Sequence, residues 1–247
     1  MQFDVWGHTD RGRRRHENQD SLLFSLVCDE GELPIVPISA DSIRTHGHLI
    51  AVADGVGGLR GGREASQLLA KHLSNLFYKL ARNDSVEELL SKAIVQANIN
   101  AAEQNQQKNA SSTLVAAVVR DDRLHVGHVG DSRAYLIRNG KMQQLTQDHA
   151  LGNRLTRYLV STTEYAPTMQ PPIKLQAGDW VLLCSDGLYR EVTDSAEIIT
   201  ILQNNRAEDA AHRLIALADA NGGNDNISVA LLHAFERRNE RGRWESL

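Results

Sequence analysis

Hydrophobic residues occur along the chain in short runs of strand length, and two of these runs end in the same way. Residues 49–53 and 180–184 are unbroken apolar runs, which is typical of strands buried on both faces. Asp54-Gly55 follows the first run, and Ser185-Asp186-Gly187 follows the second. Each run therefore predicts a core strand that ends at a carboxylate. Further strands are predicted at residues 3–9, 21–27, 113–120, 124–129, 132–138 and 227–232.

A helical period replaces the strand pattern in the middle of the chain and again near its end. Within residues 65–80, apolar side chains recur at i, i+3 and i+4. Ser85 and Glu88 have the spacing of a capping box at the start of a second helix. Helices are accordingly predicted at 65–80 and 85–108, from 194, at 207–219 and, as a short one, at 151–159. Residues 28–47 and 161–172 lack a period and are predicted to be loops.

The order of these elements predicts the fold class. Helices are grouped together and strands lie in separate blocks, which favours an α+β fold with antiparallel pairing over an alternating parallel sheet. The chain has 247 residues, of which 41% are hydrophobic, so it can bury a sizeable core.

Composition and charge narrow the class of protein. The net charge is −4 and no segment forms a basic face, so nucleic acid is not expected as a partner. The longest apolar run, residues 114–119, is too short to span a membrane, and the N-terminus lacks an apolar signal core. Cys28 and Cys184 are too few for a disulfide framework. We therefore expect a cytoplasmic protein without a membrane partner.

Five aspartates stand at the boundaries of predicted strands, next to glycine or asparagine or close to one: Asp20, Asp54, Asp131, Asp186 and Asp225. Taken singly, each can be a turn residue or a helix cap. Strand ends can, however, converge at one edge of a sheet, and converging carboxylates raise each other's pKa unless a cation neutralises them. A set of oxygen ligands selects Mg²⁺ or Mn²⁺ over zinc.

The same aspartates lie in five ordered motifs that resemble those of the metal-dependent Ser/Thr protein phosphatases, the type 2C or PPM family. The resemblance covers roughly residues 2–233. The motifs are Arg15-x-x-Asn18-x-Asp20, Asp54-Gly55-x-Gly57-Gly58, Val129-Gly130-Asp131-Ser132-Arg133, Leu183-Cys184-Ser185-Asp186-Gly187 and Gly223-Asn224-Asp225-Asn226. Five motifs in the family's order are far more specific than any one of them.

This resemblance implies a fold and a reaction. The fold would be a four-layer α-β-β-α sandwich, two antiparallel sheets flanked by helices, over residues 1–236, with a polar tail at 237–247. The reaction would be removal of phosphate from phosphoserine and phosphothreonine in proteins, by direct attack of a water held between two Mn²⁺ or Mg²⁺ ions. Phosphoprotein substrates, an opposing Ser/Thr kinase and a monomeric state follow from the same resemblance.

The resemblance also implies roles for individual residues. Asp54 would bridge both ions, the Gly55 carbonyl would bind one, and Asp20 would act through a bound water. Asp186 and Asp225 would complete the shell of the first ion.

Two further roles concern a third ion and the substrate. Asp131, together with Asp186, matches the position linked to a third ion in bacterial members. Arg15 would bind the substrate phosphate, since a guanidinium group contacts phosphate oxygens in pairs.

The chain also departs from the family pattern. Val56 stands where some members have a histidine that is a candidate general acid, and Gln19 replaces an acidic residue. Residues 111–113 read Ser-Ser-Thr where the family has Gly-Thr-Thr. Residues 149–178 are predicted to be a reduced form of the family's mobile flap beside the active site.

Two alternatives stay open at the level of sequence. Residues 184–190 match C-x-x-G-x-x-R, the phosphate loop of cysteine-dependent phosphatases, with Cys184 as nucleophile and Arg190 as phosphate ligand. Against this alternative, Asp186 would place a carboxylate inside an anion-binding loop. The second alternative is a weakly active or inactive phosphoprotein-binding or sensor module on the same fold.

Overall fold

The computed structural model describes residues 1–24, 40–57, 61–80, 84–105, 110–152, 154–160 and 165–236. Its helices are α1 (Ala40–His46), α2 (Gly61–Phe77), α3 (Val86–Gln104), α4 (Asp186–Tyr189), α5 (Ser195–Asn204) and α6 (Ala207–Asn221). Its strands are β1 (Gln2–Asp10), β2 (Asp20–Phe24), β3 (His48–Val56), β4 (Ser111–Ser112), β5 (Leu114–Arg120), β6 (Arg123–Val129), β7 (Arg133–Arg138), β8 (Lys141–Gln144), β9 (Ala150–Leu151), β10 (Arg154–Leu155), β11 (Thr168–Met169), β12 (Ile173–Lys174), β13 (Trp180–Cys184) and β14 (Ile227–Phe235).

Most of the strands belong to two antiparallel sheets. The first sheet, called here the terminal sheet, has the order β1-β14-β13-β7-β8. The second, called here the central sheet, has the order β11-β6-β5-β3-β2, with β12 also paired to β6 and β4 to β3. Both are antiparallel at every pairing found among the described strands.

Three hydrophobic layers hold this arrangement together. Alternate residues of β3 point in opposite directions, so Leu49 and Ala51 pack toward α2 and α3 while Ile50 and Val52 pack between the sheets. On β13, Leu182 likewise packs toward α5 and α6 while its neighbours face the inter-sheet layer. The unbroken apolar runs are explained, because both faces of these strands are buried. The predicted α+β sandwich of four layers is confirmed.

The predicted start of the second helix is confirmed, and an Asn-Gly pair forms a tight turn between two strands. Ser85 and Glu88 form the predicted capping box at the start of α3. Asn139 and Gly140 both have positive φ, +52° and +69°, and form the tight turn of the β7–β8 hairpin.

Three local predictions are wrong. The predicted loop 28–47 contains α1, which ends where Gly47 adopts a φ of +96° and donates its N–H to the Ile43 carbonyl. The predicted helix at 151–159 is instead the β9–β10 hairpin, followed by a bridge between Leu159 and Ser112. The predicted loop 161–172 contains β11, which pairs with the edge of β6.

Two predictions fall on parts of the chain that are not described. Residues 25–27 of the second predicted strand and the polar tail at 237–247 lie outside the described residues. Among the residues that are described, no helix is both long and apolar enough to cross a membrane.

Candidate active site

The aspartates singled out from the sequence come from both sheets. In the central sheet, β2 pairs with β3 and places Asp20 directly opposite Asp54. In the terminal sheet, Asp186 follows β13 and Asp225 precedes its neighbour β14. Asp131 lies in the turn where the chain passes from β6 to β7, and so from one sheet to the other. The aspartates were predicted to converge at one edge of a single sheet. In the structure they come from two stacked sheets.

These residues surround one cavity of about 660 Å³. Asp54, Gly55, Asp131, Asp186 and Asp225 line it, and Arg15, Val56, Arg154, Tyr158 and Arg190 are among the other lining residues. Asp20 is buried beneath this surface, with 7% of its area exposed. All seven predicted site residues are therefore brought to one place.

The backbone around Asp54 is fixed by residues of the neighbouring strands. The Asp54 N–H donates to Thr113 Oγ1 (3.1 Å), and the Asp54 carbonyl accepts from the Thr113 N–H (2.8 Å) and from Ser112 Oγ (3.1 Å). The strand was predicted to end at Asp54, but β3 continues to Val56.

Gly55 and Gly62 let helix α2 approach the end of β3 closely. A Cβ atom at Gly55 would lie 2.1 Å from the Gly62 carbonyl oxygen, and a Cβ atom at Gly62 would lie 2.7 Å from the Gly55 carbonyl oxygen. No side chain fits in either place, so the carbonyl of Gly55 is held at a defined position beside Asp54.

Asp20 joins the two sheets through hydrogen bonds. Its Oδ2 accepts from Ser185 Oγ (2.7 Å) and Ser228 Oγ (2.6 Å), which both belong to the terminal-sheet side of the site. Its Oδ1 is buried and has no hydrogen-bond partner. Neither serine was predicted to have a role in the site, although each lies within three residues of a predicted site aspartate.

Burial and mutual repulsion perturb the carboxylates. Burial raises the pKa of Asp20 to about 7, although the two serine hydroxyls lower it and the charges of Asp186 and Asp225 raise it further. Burial raises the pKa of Asp186 to about 6 against the opposing effect of Arg190, and burial with the four other carboxylates raises the pKa of Asp54 well above its ordinary value. The centre is therefore a site that favours protons or other cations.

Two arginines already contact this cluster. Arg15 Nη2 lies 2.5 Å from Asp225 Oδ2, and Arg190 Nη2 lies 3.0 Å from Asp186 Oδ2. Arg15, predicted to bind phosphate, is thus bonded to a candidate metal ligand, while 54% of its side chain remains exposed to the cavity and solvent. Arg190 was predicted only as part of the cysteine alternative.

Asn226 anchors the loop that carries Arg15. Its Oδ1 accepts from the Gln19 N–H (2.9 Å), and its Nδ2 donates to the carbonyls of Arg11 and Glu17 (2.9 Å each). Asn226 belongs to the fifth motif, but its position beside Asp225 does not indicate that it ties residues 11–19 to β14.

The turn that carries Asp131 is held by His149. The Gly130 N–H donates to His149 Nδ1 (3.1 Å), and the His149 N–H donates to the Gly130 carbonyl (2.9 Å). Burial, followed by the charges of His128 and Arg157, lowers the pKa of His149 to about 4, so the ring is neutral near pH 7. His149 was not predicted as a site residue, because residues 149–178 carry no pattern that points to it.

Comparison with known proteins identifies the class of this centre. The family model described as protein phosphatase 2C matches residues 39–222. The chain belongs to the protein phosphatase 2C family. The resemblance inferred from the five motifs is thereby confirmed.

Named phosphatases are similar to this chain in sequence and in structure. The serine/threonine phosphatase stp of Listeria innocua is 34% identical over 253 residues, covering 91% of this chain and 93% of that protein. The catalytic domain of the phosphatase PstP, solved in complex with two manganese ions, is 30% identical with a TM-score of 0.76 and coverage of 95% and 99%. The S. agalactiae serine/threonine phosphatase is 26% identical with a TM-score of 0.79 and coverage of 94% and 100%.

The residues of this 2C-family centre fit divalent cations. The buried Oδ1 atoms of Asp20 and Asp186 have no hydrogen-bond partner, and unpartnered buried carboxylate oxygens are costly unless a cation contacts them. No three acidic, histidine or cysteine side chains of the described ranges are gathered closely enough to coordinate one ion as they stand. Asp225 and Asp186 are turned toward Arg15 and Arg190 instead.

Cys184 has none of the properties of a nucleophile. It lies inside β13, fully buried, between Arg133 of β7 and Val229 of β14. Burial raises the pKa of its thiol, which disfavours the thiolate. Arg190 faces carboxylates, not an anion-binding loop around the sulfur. The cysteine alternative is not supported, and the named phosphatases do not favour an inactive binding module.

Proposed function

We propose that this chain removes phosphate from phosphoserine and phosphothreonine side chains of proteins by direct attack of water at the centre formed by the five aspartates. Metal-dependent protein phosphatase activity with Mn²⁺ or Mg²⁺ is the activity of its family. One observation carries the assignment of residues: carboxylates from both sheets meet around one cavity, and the buried Oδ1 atoms of Asp20 and Asp186 lack partners.

The aspartates and one backbone carbonyl provide the oxygen ligands. Asp54 would contact both ions, the Gly55 carbonyl one of them, and Asp186 with Asp225 the other, while Asp20 would act through a water. Two ions, when bound, supply positive charge that makes a water nucleophilic and draws the phosphate oxygens into place. The protein's part is to hold five acids together against their mutual repulsion.

Arg15 positions the substrate phosphate. Its guanidinium group is anchored on one side by Asp225 and is half exposed on the other, so donors remain for phosphate oxygens. Asp225 thereby orients the arginine before substrate arrives, which reduces the entropy lost on binding.

The leaving alkoxide would take its proton from a water. No histidine lines the described cavity, and Val56, which stands where some relatives have one, is 42% exposed and cannot donate a proton. Phosphate release is therefore expected to be fastest for substrates with acidic leaving groups, such as aryl phosphates.

The physiological setting forms part of the same proposal. The enzyme is proposed to act in the cytoplasm as a monomer. Its phosphoprotein substrates would be formed by a Ser/Thr kinase, because phosphoserine arises by phosphoryl transfer to serine. The reduced flap at 149–178 and the domain bounds 1–236 remain predictions.

The decisive experiment measures phosphate release from an aryl phosphate and from a phosphothreonine peptide. Wild type is assayed with Mn²⁺, with Mg²⁺, with excess chelator, and after thiol alkylation. We expect activity that requires the ion and survives alkylation. Asp54→Asn should abolish it, whereas Asp194→Asn, a matched change at the exposed cap of α5, should not. Folded wild type without activity under either ion would refute the proposal.

A further inference from the structure

The guanidinium group of Arg190 lies between two carboxylates of the candidate centre. Its Nη2 is 3.0 Å from Asp186 Oδ2 and 3.6 Å from Asp131 Oδ2. The two aspartate side chains are only 12% and 11% exposed, whereas that of Arg190 is 44% exposed. One nitrogen thus faces one oxygen of each acid, which is the arrangement of a cation shared by two carboxylates.

The short helix α4 and its neighbours direct this side chain. Arg190 follows α4 one turn after Asp186, and its N–H donates to the Asp186 carbonyl (3.0 Å). The preceding ring, Tyr189, packs against the Arg133 guanidinium at 3.6 Å. Arg133 is itself held by Asp148 through hydrogen bonds to both carboxylate oxygens. Because Tyr189 is fixed, Arg190 is directed back toward the cavity that it lines.

Asp186 divides its two oxygens between different partners. Oδ2 contacts Arg190, and Oδ1 is buried without a hydrogen bond. One oxygen of Asp186 therefore remains for an ion of the two-ion centre, while the other is already engaged. A further divalent cation between Asp131 and Asp186 would lie beside the guanidinium group that already contacts the Oδ2 atom of each acid, and the two positive charges would repel each other. These residues do not fit a third ion.

We propose that Arg190 is a tethered cation that takes the place of a third metal ion between Asp131 and Asp186, so that this centre holds two ions. The inference rests on the two-ion centre of the proposed function. A charge that is tethered to the chain is present at high effective concentration and needs no free metal. The pair Asp131–Asp186 is therefore neutralised even when divalent ions are scarce.

The test is a count of bound Mn²⁺ rather than an activity. Free Mn²⁺ is measured by electron paramagnetic resonance during titration of the whole chain, and the bound number is checked by equilibrium dialysis with metal analysis. Wild type and Arg190→Lys, which keeps the positive charge, should bind two ions per chain. Arg190→Gln, which keeps a polar side chain but removes the charge, should bind a third and weaker ion. Adding Asp131→Asn to Arg190→Gln should remove that third ion again.

Each other outcome is informative. Three ions in wild type, or only two in an Arg190→Gln variant whose thermal unfolding is cooperative, would overturn the role of Arg190 and leave the phosphatase assignment intact. Wild type that binds no Mn²⁺ at all would instead contradict the proposed function. The variants should fold, because the Arg190 side chain is half exposed and contributes little apolar burial.

Discussion

Replacing Asp20 by asparagine should stabilise the metal-free protein while weakening its ion binding. In the folded chain burial raises the pKa of Asp20 from 3.8 to about 7. Between these values the folded state binds more protons than the unfolded state, so stability falls as pH rises through this range. Each pKa unit corresponds to about 1.4 kcal/mol, and an ionised Asp20 at pH 8 therefore costs about 4 kcal/mol.

Asparagine mimics the protonated form of this side chain. Its carbonyl oxygen can accept from Ser185 and Ser228 in the place of Oδ2, and it carries no charge at any pH. In excess chelator at pH 8 the variant should therefore exceed wild type in free energy of unfolding by up to about 4 kcal/mol, or roughly 8–16 °C in Tm. At pH 4 the difference should be close to zero, because wild-type Asp20 is then protonated.

The assay is thermal unfolding followed by circular dichroism at both pH values, with chelator and with Mn²⁺. Saturation with ion to 100 times its Kd adds about 2.7 kcal/mol to a protein that binds it, so Mn²⁺ should stabilise wild type more than the variant. Asp194→Asn is the control, since asparagine caps a helix as well as aspartate does. An equal gain at pH 4 and pH 8, or no gain at pH 8, would refute the reasoning.

Three further changes have expected outcomes. Gly62→Ala places a Cβ 2.7 Å from the Gly55 carbonyl, so it should lower the free energy of unfolding by about 1–3 kcal/mol in urea titrations and weaken Mn²⁺ binding in calorimetry. Arg15→Ala should raise KM for a phosphopeptide by about tenfold or more, as expected for a lost charged hydrogen bond, and an effect on kcat alone would contradict the role in phosphate binding. Cys184→Ala should keep metal-dependent turnover and lose about 1–2 kcal/mol of stability, and inactivity in folded protein would revive the cysteine alternative.

The sequence was sufficient to predict the strands that deliver the acids. The apolar runs before Asp54 and Asp186 are buried on both faces, so they stand out without any knowledge of their neighbours. The sequence did not predict that the acids come from two sheets, because the contacts between Asp20 and Ser228 join residues 208 positions apart. Such pairing depends on how the sheets stack.

The helix and the loop predicted within residues 149–178 were wrong for a different reason. Strands β9 to β12 are two residues long, too short to show a period, and β11 and β12 form only because β6 offers a free edge. Arg190 was interpreted through its spacing from Cys184 along the sequence. Its four-residue spacing from Asp186 was the informative signal, because it predicts an ion pair on one helical turn.

The hydrogen bonds from Ser185 and Ser228 to Asp20 show that the candidate centre spans the boundary between the two sheets. The width of that boundary is set by the apolar side chains between the sheets, such as Val52, Val115 and Leu183. This buried layer therefore sets the distance between the aspartates of the central sheet and those of the terminal sheet. Substitutions deep within this layer are therefore expected to shift the aspartates of one sheet relative to those of the other without replacing any aspartate.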